Sequence, residues 1–197
     1  MFGTDLDAGV IYFRSPDPDE DGCVHELWHI KLSRQGCPEV LLVRDNESNL
    51  WRLEIPHFLN DLFEHQLFFP ELVSHGYSPY EIEESALKSF LDQMTTQNIG
   101  QKGSSIQITE EQSDPARAYL SIIYAKAFLE CRSEALQKRC VAIYSMPYLL
   151  QTKKLGEGLI DIVRTYAGFD FKKFKIGLEL AVQLLSQSDF MKINVAA

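Results

Sequence analysis

At Pro56 the spacing of apolar residues changes, and it does not change back. Upstream, four short runs rich in Val, Ile, Leu and aromatics, GVIYFR (9–14), CVHELWHIKL (23–32), EVLLVRD (39–45) and LWRLEI (50–55), are separated by SPDPDEDG, SRQGCP and NESN. Those separators are built from the residues that make turns. Downstream, Phe58, Leu59, Leu62, Phe63 and Leu67 recur at helical spacing. One switch of period places strands and helices in separate layers. The pattern therefore predicts an α+β fold, an N-terminal four-stranded antiparallel meander followed by four or five helices packed against it. At 197 residues one domain is expected, with a strand-rich part over 1–55 and a helical part over 56–197.

Within the helical part, Ser78-Pro79-Tyr80-Glu81 reads as a capping box that opens a helix through Leu87, Leu91 and Met94. The segment NIGQKGSSIQITEEQS (98–113) reads as a loop, with a short strand over 106–109 and the best position for a proteolytic nick. A long helix is predicted from Ser113 to about Lys138, and residues 140–150 carry marks of both strand and helix. Two more helices follow, over about 155–167 and 171–188, divided by an Ala167-Gly168 stop and an Asp170 cap.

The formal net charge of −9 disfavours nucleic acid or an anionic membrane as a partner, since both are bound through clustered Lys and Arg. The small basic groups Lys153-Lys154 and Lys172, Lys173, Lys175 read as solvated helix faces. Cys23, Cys37, Cys131 and Cys140 form no C-x-x-C pair, which fits reduced thiols and a cytoplasmic protein. No apolar run approaches the ~20 residues of a membrane span, and the first residues lack a signal-peptide pattern.

The stretch DPDEDGCVHELWH (17–29) imitates two metal motifs. Asp17, Asp19, Asp21 and Gly22 open like a calcium loop, but the bidentate Glu expected at its twelfth position is Trp28. His25, Glu26 and His29 spell H-E-x-x-H, whose histidines bind one zinc ion only on a helix, where their Cβ atoms lie about 6 Å apart. In a strand they lie about 13 Å apart. Val24, Trp28, Ile30 and Leu32 share one parity, which favours the strand. His57, Asp61 and His65, with Glu64 adjacent, form a third possible cluster on the first predicted helix. None of these is carried forward as a site, and neither a metal nor a cofactor is expected.

Phe171, Phe174, Leu178, Val182 and Leu185 form a stripe on the last helix, which Ile176, Leu180 and Leu184 widen beyond one ordinary face. Such a face predicts a partner-binding surface for another protein, as in a component of a multi-subunit complex. In composition alone, the chain resembles acidic bacterial adaptors and secretion chaperones. The expected function is accordingly non-catalytic protein binding. The competing expectation is a metal-dependent hydrolase built on His25, Glu26 and His29.

Overall fold

The computed structural model describes residues 2–5, 10–13, 20–43, 49–97 and 110–195. Among them are seven α-helices and two antiparallel two-stranded sheets. The fold is mainly α, so the predicted four-stranded meander is corrected.

Strands β1 (Phe2–Asp5) and β2 (Val10–Phe13) pair with each other. Helix α1 (Glu20–Arg34) then takes the place of the predicted second strand. Its acidic first turn, Glu20 and Asp21, and basic last turn, Lys31 and Arg34, complement the helix dipole. It ends in a Schellman motif: Cys37 N–H donates to Leu32 C=O, Gly36 N–H donates to Ser33 C=O, and Gly36 takes φ 78°. The Gly-Cys-Pro segment after it is thus a helix stop, not a hairpin turn.

Strand β3 (Glu39–Leu42) pairs with β4 (Met191–Asn194), at the other end of the chain, in antiparallel register. On its opposite edge Val40 is held by a side chain. Asn60 Oδ1 accepts the Val40 N–H at 2.8 Å, and Asn60 Nδ2 donates to the Val40 carbonyl at 3.1 Å.

Helix α2 (Leu50–Ser74) begins before Pro56, because Asn49 caps it by accepting the Arg52 N–H. The fourth predicted strand is therefore its first turns. A second Schellman motif, with Gly76 at φ 91°, ends α2 before α3 (Pro79–Gln97). Helix α4 (Glu110–Leu129) is separated from α5 (Glu134–Tyr144) by a break where one long helix was predicted. Ser133 caps α5, and Glu84 accepts the N–H groups of Arg132 and Ser133 at 2.6 and 2.8 Å. The ambiguous segment 140–150 is the end of α5, a 3₁₀ turn (Pro147–Leu149) and the start of α6 (Leu150–Tyr166). Helix α7 (Phe171–Leu184) is capped by Asp170, which accepts from the Lys172 and Lys173 N–H groups. The predicted loop and strand over 98–109 lie outside the described residues, whereas 110–113 open α4.

Helix α4 is the centre of the core, with every residue from Ser121 to Ala127 buried. Helix α6 approaches it closely, because Ser121 Oγ donates to the Thr152 carbonyl and Gly156 faces Tyr124 and the Ser121 carbonyl. A Cβ on Gly156 would lie 2.9 Å from that oxygen, whereas one on Gly158 would meet only the flexible end of Leu184. Gly156→Ala should therefore cost about 1–3 kcal/mol. Gly158→Ala should be neutral or stabilising through its higher helix propensity. Urea unfolding of the two variants side by side checks this, and equal effects would contradict the close α4–α6 approach.

Candidate functional site

Because residues 20–34 are helical, His25 and His29 stand one turn apart on the face of α1 that meets α2. Their Nε2 atoms face each other at 3.1 Å. Two imidazole nitrogens bound to one tetrahedral zinc, at about 2.05 Å each, would stand about 3.3 Å apart. With His29 protonated and His25 neutral, this contact is a hydrogen bond from His29 Nε2–H to His25 Nε2, and its length is also close to one edge of a coordination tetrahedron.

The far side of His29 is fixed by α2. Its Nδ1–H donates to Glu64 Oε2 at 2.6 Å, which leaves Nε2 to face inward. A carboxylate that orients an imidazole in this way is the usual outer partner of a metal-bound histidine. Asp61 Oδ1 lies 3.9 Å from the same Nε2. His65, fully buried one residue after Glu64, completes a trio whose ligating atoms all lie within 4.8 Å of one another. Its ring stacks on Phe69 with centroids 4.2 Å apart, and Phe68 makes edge contacts with all three histidines.

A second group extends the site toward α3 and α4. His65 Nδ1 lies 3.1 Å from Glu130 Oε1 and 4.0 Å from Glu83 Oε1. Lys126 Nζ sits between the same carboxylates, 2.8 Å from Glu130 and 3.2 Å from Glu83. Neither ring nitrogen of His65 nor either oxygen of Glu130 has a well-directed hydrogen bond, although all four are buried. Glu130 is compensated by the Lys126 ammonium and faces His65 Nδ1. That leaves His65 Nε2 as the buried polar atom without a close partner among the described residues, an arrangement that costs about 1–3 kcal/mol.

The electrostatics follow from burial. Burial, with the charges of His65 and His29, pushes His25 down to about 2, and burial pushes His65 well below the usual histidine range. Both imidazoles are neutral at pH 7 and so have a lone pair to donate. Burial alone would lower His29 as well, but its hydrogen bond to Glu64 and the charges of Glu64, Asp61 and Glu26 hold it up at about 9. Burial raises Glu83 to about 7 against the opposing pull of Lys126.

The three patterns that the sequence offers thus have different fates. His25 and His29 join His65, Asp61 and Glu64 in one centre. His57 is exposed, lies 3.5 Å from Asp61 and is not among the converging histidines. Of the calcium-loop residues, Asp17 and Asp19 lie outside the described residues, while Asp21 and Gly22 belong to the first turns of α1, where Asp21 accepts the Ser78 N–H. Strand-based reading of 23–32 misses the convergence, and it misses Glu83, Lys126 and Glu130 altogether.

On α7, Phe174, Leu178, Val182 and Leu185 are buried and Phe171 is half-buried. Phe174 packs edge-on against Phe63 of α2. The stripe read as partner-binding is occupied from within the chain. Comparison with known proteins finds no matching family model, no similar curated protein and no similar solved structure.

Removing Lys126 would leave two buried carboxylates without their counter-charge. Lys126→Met should destabilise the protein by about 3–5 kcal/mol. Adding Glu130→Gln should recover part of that loss. A urea-unfolding cycle of the two single variants and the double variant measures the coupling, and additive effects would argue against the pairing.

Proposed function

We propose that the protein is a divalent-metal-dependent hydrolase whose metal ligands are His25, His29 and His65. The observation that carries this reading is the 3.1 Å approach of the His25 and His29 Nε2 atoms, with Glu64 fixing His29 from behind. His65, fully buried beside them with its Nε2 lacking a hydrogen bond, supports it as well. A trio of histidines is a common donor set for catalytic zinc, and it leaves a fourth position for water. The protein-binding alternative rests on the α7 stripe, of which Phe174, Leu178, Val182 and Leu185 are buried, while Phe171 is half-buried and Ile176 is exposed.

A bound divalent cation supplies Lewis acidity and lowers the pKa of a coordinated water toward neutrality. Glu26 follows His25 on α1 and its charge acts on His29; with an ion held by the three histidines, its carboxylate would be the group to accept the proton of a coordinated water. That proton would pass to the leaving group as the C–O or C–N bond broke, so that one water would be consumed and one acid and one alcohol or amine would form. Asp61 and Glu64 hold the histidines, and Phe68 and Phe69 keep solvent from two sides of the rings.

Protein purified without chelator should carry close to one zinc-class ion per chain by elemental analysis, and His25→Ala or His65→Ala should lose it. Glu26→Gln should keep the ion and lose about 10²–10⁴-fold in hydrolytic rate on an ester or amide panel. Ion uptake should also release protons, because the metal displaces the proton that His29 holds at neutral pH. Calorimetry in buffers of different ionisation enthalpy reads that release. A wild-type chain that binds no zinc, manganese or iron at micromolar concentration contradicts the proposal.

A further inference from the structure

Beside the histidine trio a cleft of about 130 Å³ opens between α2, α3 and α4. Phe58, Ala86, Phe90, Tyr119 and Ile123 form its apolar walls. Its inner end is polar, where Glu83, Lys126 and Glu130 meet. That end abuts the proposed metal centre, since the Glu130 and Glu83 carboxylates lie 3.1 and 4.0 Å from His65 Nδ1. Ala86 is exposed and marks the mouth, whereas Glu130 is fully buried and marks the floor.

We infer that this cleft binds a small uncharged molecule or group with an aromatic or branched aliphatic body and one hydroxyl or amide tip. Three observations define that class. The volume is close to that of an engineered ~150 Å³ apolar cavity, in another protein, that takes up benzene. The walls offer ring faces and methyl groups, so the body must be hydrocarbon.

The floor excludes charge of either sign. An anion would add a negative charge beside Glu83 and Glu130, and a cation would compete with Lys126, which already stands between them. A neutral tip can accept from the Lys126 ammonium and donate to a carboxylate without breaking that pair. Resting on the hydrolase reading, the occupant is the non-reacting hydrocarbon arm of the substrate, and the cleft sets which esters or amides are accepted.

The test uses the full chain and benzyl alcohol as the probe, followed by NMR of isotope-labelled protein. Saturable shifts are expected at Tyr119 and Ile123, with a Kd of roughly 1 mM for so small a ligand. Benzoate and benzylamine, of the same shape but charged, should bind at least tenfold more weakly. Ala86→Phe, which fills the mouth from an exposed position, should weaken benzyl alcohol at least tenfold at an unchanged unfolding midpoint, and Ala86→Leu serves if that variant misfolds.

Absence of saturable shifts, equal binding of the charged probes, or undiminished binding to a folded Ala86 variant would overturn the inference. Zinc content measured on the same samples separates the two readings. Zinc without probe binding removes the cleft inference alone, whereas probe binding without zinc leaves the cleft as a ligand site and removes the hydrolase.

Discussion

The hydrogen bond from His29 to Glu64 joins α1 to α2 at a buried position, and the polar interior of the protein is arranged around it. It sets the orientation of His29, which fixes where its Nε2 meets His25. His65, the next residue of α2, carries the network on to Glu130 and Lys126 of α4 and Glu83 of α3. Four helices are therefore tied to one electrostatic centre. Such a centre is costly to bury and is tolerated only where its members compensate one another.

The remainder of the molecule supplies a rigid frame. Helix α4 is gripped by α6 through Ser121 and Gly156, and α5 is tied to α4 by the Tyr144 hydroxyl, which donates to the Leu120 carbonyl at 2.8 Å. These contacts are made by residues other than Lys126 and Glu130, so the helix bearing those two groups is held by packing as well as by the site. Side chains locked by packing in this way are what a preorganised site requires.

Much of the helical half was legible in the sequence. The Asp170 cap and the proline-led start of α3 are local signals, and the structure places helix ends there. The N-terminal third was misread for a physical reason. The inward face of α1 carries His25 and His29, and a helix whose buried face is partly polar has little hydrophobic periodicity to detect. The residues that make the site are the residues that hide its helix. Glu20, Asp21, Lys31, Arg34, Gly36 and Pro38 nevertheless spell a helix start and stop, and weighing those signals over parity would have recovered α1. The β3–β4 pairing joins segments about 150 residues apart and leaves no local trace. The break after Leu129 is likewise tertiary, because Glu84 of α3 accepts the freed N–H groups.

Asn60 has a consequence beyond its helix. A two-stranded sheet leaves each strand with one side unpaired, and such a side invites the strand of another molecule. Where β3 would present Val40 in that way, the Asn60 amide donates and accepts in the manner of a neighbouring backbone. A single side chain thereby stands in for a third strand at Val40, and the β3 edge is closed to recruitment there.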